Sequence, residues 1–101
     1  MIKVTMNGLH LMVEGHAMFA EAGKDIVCAA ASTLAFTLAR RMEQLENEGM
    51  ASFDLQVSAG VFNLHTAQKS KDCQVSYDTI RAGFEMLAAK YPDHIQFIDM
   101  G

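Results

Sequence analysis

An apolar stripe at helical spacing constrains this 101-residue chain more than any other feature of its sequence. Its members follow one another in steps of three and four and therefore share one face of a helix: Val27, Ala31, Leu34, Leu38, Met42 and Leu45. Asp25 is a natural N-cap and Gly49 a natural stop, so we predict helix 1 over about residues 25–48. Such a helix needs another element to cover its apolar face.

Alternating apolar and polar residues supply that element, because alternation is typical of strands that bury one face. Residues 2–6 and 9–14 alternate in this way, and Asn7-Gly8 between them favours a tight type I′ hairpin turn. Two further alternating segments follow the helix within residues 53–66, with Ala59-Gly60 between them, and predict a second hairpin. Hairpins require antiparallel pairing, so we expect an antiparallel sheet.

A second amphipathic helix and a last strand complete the chain. After a polar loop at residues 68–72, apolar residues at helical spacing mark helix 2: Tyr77, Ile80, Phe84, Leu87 and Tyr91. Pro92 ends this helix, and residues 95–98 predict a short strand. The order β-β-α-β-β-α-β over one domain, residues 1–101, predicts an α+β two-layer sandwich in which two helices cover an antiparallel sheet.

Charge and hydropathy narrow the functional classes. Eight Lys and Arg against twelve Asp and Glu give a formal net charge of −4, which repels phosphate backbones, so we expect no direct nucleic-acid partner. No apolar run is long enough to span a bilayer and the N-terminus lacks an export pattern, so we expect no membrane partner and a cytoplasmic location. Cys28 and Cys73 are then expected to be reduced thiols.

Cys28 and His16 form a candidate catalytic pair. Cys28 lies in the first turn of helix 1, where unpaired amides and the helix dipole favour a thiolate. His16 falls just past the end of strand 2, and the loop after it leads back to the start of helix 1. A Cys-His pair within hydrogen-bond reach supports covalent acyl transfer, and the small residues Gly15 and Ala17 would admit an extended peptide. Spacing alone leaves open that the two are unrelated structural residues.

The segment around this pair resembles a known family. Gly15-His16-Ala17, followed by Gly-Lys-Asp-Ile-Val-Cys-Ala-Ala-Ala-Ser at residues 23–32, is similar in order and spacing to the signature of the ribosomal-processing cysteine proteases. The order of elements and the chain length also agree with that family. Some relatives carry Tyr where this chain has Ala22, a difference that bears on how the loop packs or meets substrate.

The resemblance implies an enzyme with a defined site. His16 corresponds to the catalytic histidine of the family and Cys28 to its nucleophile, while Asp25 and Ser32 correspond to residues beside them. The small residues expected to contact substrate are Gly15, Ala17 and Gly23. The implied reaction removes a short N-terminal extension from a large-subunit ribosomal protein through a thioester acyl-enzyme, and the implied assembly is a homodimer. Such substrates are rich in Lys and Arg, which the negative net charge of this chain complements.

Several alternatives stay open. Asp25 fits a cap better than a third catalytic member, and Ser32 fits either a hydrogen bond in the site or one to the preceding helical turn. Residues 17–24, which separate the pair, are a candidate mobile lid. Instead of a protease, the chain could be a ribosome-associated binding protein without turnover, or a thiol redox sensor that forms a Cys28–Cys73 disulfide.

Neither a metal nor a cofactor is expected. The sequence has no Cys-x-x-Cys or His-Glu-x-x-His pattern, and His10, His65 and His94 lack metal-ligand spacing. It also has no glycine-rich loop of the kind that binds phosphate. Cys73 has no histidine placed by a motif to activate it, so we expect this second thiol to be inert.

Overall fold

Seven elements follow one another in the computed structural model, which describes residues 1–15, 26–67 and 70–101. They are β1 Ile2–Met6, β2 His10–Glu14, α1 Ile26–Asn47, β3 Phe53–Ser58, β4 Val61–Thr66, α2 Lys71–Lys90 and β5 Ile95–Asp99. The predicted order β-β-α-β-β-α-β and the two-layer α+β architecture are confirmed. Both predicted helices and all the predicted strands are present among the described residues. The candidate lid at residues 17–24 lies outside the described residues.

The five strands form one sheet in the order β3-β4-β2-β1-β5. Both predicted hairpins are antiparallel pairs, and β2 also pairs antiparallel with β4. The last strand departs from the expected antiparallel sheet, because β5 runs parallel to β1 and the sheet is therefore mixed. The connecting helix explains this difference. Helix α2 carries the chain back along the sheet, so β5 starts at the same end as β4 and shares its direction with β1.

The first hairpin turns one residue later than the Asn-Gly pair predicts. Asn7 and His10 exchange two backbone hydrogen bonds of 3.0 and 3.1 Å, so the two loop residues are Gly8 and Leu9. Gly8 has a φ of 57°, which suits the first central position of a type II′ turn. This register buries Leu9 and lets its carbonyl accept a hydrogen bond of 2.9 Å from the Thr66 amide.

The core lies between the sheet and the two helices. The predicted stripe of α1 faces it, although Leu34 is only partly buried and lies against the second helix. A Cβ atom placed on Gly83 of α2 would come within 2.6 Å of Leu34 Cδ2, so a glycine at this position permits the helices to pack closely. Between α2 and β4, the buried Tyr77 hydroxyl of α2 forms a hydrogen bond of 2.9 Å with the Thr66 hydroxyl of β4. Burial raises the pKa of Tyr77 to about 12.

The helix ends follow local signals in the sequence. Gly49 has a φ of 75° and the Met50 amide donates to the Leu45 carbonyl at 2.8 Å, which confirms the predicted stop of α1. Helix α2 begins at Lys71, inside the segment predicted as a loop, because the Ser70 side chain caps it by accepting a hydrogen bond from the Cys73 amide. It ends at Lys90, before Pro92, as predicted. Neither described helix is long and apolar enough to cross a membrane.

Candidate active site

Cys28 is the third residue of α1 and lines a cavity at one end of the sheet. The thiol is partly buried and packs against the core, and it lies in the first turn as predicted. The cavity has a volume of about 190 Å³ and lies between the start of α1, the C-terminal ends of β2 and β3, and the first residues of β4. Its walls are mainly apolar and include Val13, Phe36, Val57 and Phe62. The arrangement puts a thiol at the positive end of a 22-residue helix, beside an apolar cavity.

Gly15 borders the same cavity and extends the pairing of β2 with β4. Its amide donates a hydrogen bond of 2.9 Å to the carbonyl of Gly60, at the tip of the β3–β4 hairpin. Its φ is 87°, and a Cβ atom at this position would lie 2.6 Å from the carbonyl oxygen of Met1. Glycine is therefore required here by backbone conformation and by space. The chain thus enters the predicted catalytic segment from a fixed point on the cavity rim.

Of the predicted site residues, the structure brings Gly15, Cys28 and Ser32 together around one cavity. Ser32 follows Cys28 by one helical turn and is exposed, so it is available to a bound peptide. The remaining predicted site residues lie outside the described residues: His16, Ala17, Gly23 and Asp25. The structure therefore places Cys28 and two of its predicted neighbours, while the role of Cys28 as nucleophile and the positions of the base and the cap stay predictions.

A sequence model of the cysteine protease Prp family matches residues 1–96 of this chain. The chain belongs to this family. Its sequence is 32% identical to the ribosomal processing cysteine protease Prp of Mycoplasma genitalium over 100 residues, which cover 94% of this chain and 92% of the relative. It is 33% identical to the protein of the same name from Mycoplasma pneumoniae, over 98% of this chain and 95% of the relative. The suspected family and the assignment as a cysteine protease are thereby confirmed.

Solved structures share the Prp fold. The essential ribosomal processing protease Prp from S. aureus, in complex with a covalently linked product peptide, superposes with a TM-score of 0.80 at 21% identity, covering 97% of this chain and 96% of that one. The protein SMU.848 from Streptococcus mutans superposes with a TM-score of 0.74 at 27% identity, covering 99% of this chain and 94% of that one. Both matches extend over nearly the whole of this chain.

Sequence reasoning missed the apolar residues that the β3–β4 hairpin and Phe36 of α1 contribute to the cavity. Strand alternation places Val57 on the core face, yet its side chain is 52% exposed because it lines the cavity instead of packing under a helix. Phe36 is 48% exposed and packs edge to face on Phe62, with 5.2 Å between ring centroids. A large apolar residue outside the buried stripe of α1 was the one signal in the sequence that could have identified Phe36.

Cys73 lies far from the Prp cavity. It is fully buried at the start of α2, and its thiol lies 3.7 Å from the Met50 carbonyl oxygen. Met50 follows the C-terminal end of α1, where its amide bonds to Leu45, and Leu45 is about 25 Å from Cys28 along the helix axis. A disulfide needs Cα atoms within roughly 7 Å. The Cys28–Cys73 bond that a redox sensor would require therefore cannot form within this fold.

His10 and His65, for which the sequence predicts no metal or catalytic role, lie side by side on neighbouring strands. His10 of β2 forms a hydrogen bond with Asn63 of β4 and packs edge to face on His65, with 5.5 Å between ring centroids. Within residues 1–15, 26–67 and 70–101, no three His, Cys, Asp or Glu side chains come together in a group that could hold a metal ion. The chemistry available in the described part of the site is therefore that of the Cys28 thiol.

Proposed function

We propose that this chain is a cysteine endopeptidase that removes the N-terminal extension of a large-subunit ribosomal protein, with Cys28 as nucleophile and His16 as base. The position of Cys28 is the main support for this proposal. Cys28 lies in the first turn of α1 and faces a cavity whose rim includes Gly15, the residue that immediately precedes His16. A thiol at a helix N-terminus, with an imidazole within hydrogen-bond reach, is the minimal arrangement for covalent acyl transfer.

The reaction would proceed in two steps, formation of a thioester and its hydrolysis. His16 accepts the thiol proton of Cys28, and the thiolate attacks the carbonyl carbon of the scissile peptide bond. The C–N bond then breaks, the leaving amine takes the proton from His16, and a thioester joins Cys28 to the N-terminal fragment. Water, deprotonated by His16, attacks the thioester and releases the fragment as a carboxylic acid, while Cys28 recovers its proton. The positive end of the α1 dipole stabilises the thiolate during both steps.

The surroundings of Cys28 suit a peptide substrate. The cavity accepts an apolar side chain beside the scissile bond, because its walls are formed largely by aromatic and branched aliphatic side chains. The net charge of −4 complements segments rich in Lys and Arg. We further propose that Gly15, Ala17 and Gly23 contact the substrate backbone, that Asp25 caps α1, and that Ser32 supports the site. A cytoplasmic homodimer completes the proposal.

The relatives support this assignment through the activity in their names. The two Mycoplasma proteins are ribosomal processing cysteine proteases, and they match almost the full length of this chain. The S. aureus protease was captured with a covalently linked product peptide, which is the kind of complex that attack by a nucleophilic side chain produces. A binding protein without turnover, in contrast, would keep its function when the Cys28 thiol is removed.

The test is cleavage of a peptide that spans the N-terminal extension and cut site of the ribosomal protein precursor, with the products identified by mass. We expect Cys28→Ala to abolish cleavage with little change in stability, because a small side chain near a helix end contributes little packing. His16→Ala is expected to be nearly as damaging, and the double variant no worse than the single ones, because both residues serve one step. Cleavage by Cys28→Ala near the parent rate would contradict the protease assignment and favour the binding protein.

A further inference from the structure

Strand β3 forms an edge of the sheet, and its outer side has no strand partner among the described residues. We infer that the substrate peptide binds there as an added strand, running along β3 and delivering the residue beside the scissile bond into the Cys28 cavity. This inference rests on the proposed function and adds to it the surface that holds the peptide. Binding of this kind gains affinity from backbone hydrogen bonds and specificity from pockets for alternate side chains.

The hydrogen-bond phase of β3 shows which backbone groups are available. In antiparallel pairs every second residue exchanges hydrogen bonds with its partner, and the Ala67 amide donates to the Ser52 carbonyl at 2.7 Å just before β3 begins. The register of β3 with β4 continues this phase. Residues that bond to β4 are therefore Asp54, Gln56 and Ser58. Residues whose amides and carbonyls point away from the sheet are Phe53, Leu55 and Val57.

The outward-pointing backbone groups of β3 end beside the cavity that contains Cys28. Val57 and Ser58, at the end of β3, line the cavity that contains Cys28. The Val57 side chain lies on the helix-covered face of the sheet and is nevertheless 52% exposed, so neither described helix covers it. A peptide strand beside β3 would cover Val57 with the side chain that it inserts into the cavity. Phe53 and Val57 are about 14 Å apart along the strand, enough to hold five peptide residues.

The sequence of β3 leaves this edge open. Exposed edges are usually blocked by Lys, by Pro or by a bulge, and β3, with the sequence Phe-Asp-Leu-Gln-Val-Ser, contains neither Lys nor Pro and pairs without interruption. Its one charged residue, Asp54, is acidic and exposed, which favours a peptide that carries Lys or Arg. No described residue of the opposite edge strand, β5, lines the Cys28 cavity. The geometry therefore selects β3 as the edge that receives the peptide.

Amide hydrogen exchange on the uncleaving Cys28→Ala protein tests the inference. We expect addition of the peptide that spans the extension and cut site to slow exchange at Phe53, Leu55 and Val57 by at least tenfold. The amides of Asp54 and Gln56 are already bonded to β4 and serve as internal controls that change little. Protection that appears without peptide and rises with protein concentration would overturn the inference in favour of edge pairing between two copies of this chain.

A second measurement uses the active protein and modified peptides. We expect single N-methyl groups at alternate peptide positions near the cut to lower kcat/KM by three- to tenfold, because each removes one backbone donor to β3. Methylation at the intervening positions is expected to change kcat/KM by less than about twofold. Cleavage of the unmodified peptide with neither alternation nor amide protection would overturn the inference and leave the proposed function standing. Failure of the parent to cleave that peptide would overturn both.

Discussion

Replacement of Gly15 by Ala is the sharpest probe of how the fold positions this site. The residue has a φ of 87°, where an L side chain costs about 1–2 kcal/mol, and the new Cβ would lie 2.6 Å from the Met1 carbonyl oxygen. Relief of such an overlap by backbone movement costs about a further 1–3 kcal/mol. We therefore expect Gly15→Ala to lower the free energy of unfolding by about 2–5 kcal/mol.

Gly49 provides a matched control. Its φ is 75°, close to that of Gly15, but a Cβ atom added there would meet nothing within 4 Å. Gly49→Ala is therefore expected to cost only the conformational part, about 1–2 kcal/mol. The difference between the two variants in urea unfolding measures the clash at Gly15.

Activity separates the two variants further. Movement of the Gly15 backbone would disturb its hydrogen bond to Gly60 and displace the chain where it leads into His16. We therefore expect kcat/KM for peptide cleavage to fall by roughly 100-fold in Gly15→Ala. Gly49→Ala, at the far end of α1, is expected to cleave at nearly the parent rate under conditions where it is folded. Equal stabilities and equal cleavage rates for the two variants would refute the reasoning that the cavity rim is held by close packing at Gly15.

Three further predictions concern single side chains. Because the buried Tyr77 keeps its proton up to a pH of about 12 while the unfolded chain releases it near 10.0, stability should fall as pH rises through this window, and Tyr77→Phe should lose that part of the alkaline dependence in urea unfolding. Phe36→Ala removes an aromatic wall of the cavity and should lower kcat/KM by roughly tenfold through a higher KM; an unchanged KM would show that the wall does not contact the peptide. Cys73→Ala should cleave at the parent rate but lose stability in thermal unfolding, since this thiol is fully buried; a loss of cleavage in folded protein would give Cys73 a role in the reaction.

Local patterns in the sequence determined most of the secondary structure and the position of Cys28 in it. The stripe from Val27 to Leu45 defines α1, and the left-handed Gly49 ends it. The same pattern places Cys28 in the first turn, and the motif around it identifies the family. These features were predictable because periodicity, capping and turn formation depend on residues close together in the chain. Where local signals compete, as at the first hairpin turn and at the Ser70 cap of α2, boundaries moved by one or two residues.

Only the tertiary structure decided which distant segments meet. The parallel pairing of β5 with β1 follows from the path of α2 across the sheet, and no local pattern encodes that path. The exposure of Val57 and of Phe36 depends on how α1 and the sheet pack around the cavity, so the cavity beside Cys28 could not be predicted from strand alternation. The length of α1 likewise separates Cys28 from Cys73, which excludes a disulfide that the sequence alone left open. Each of these outcomes depends on contacts between residues far apart in the chain, which sequence periodicity does not specify.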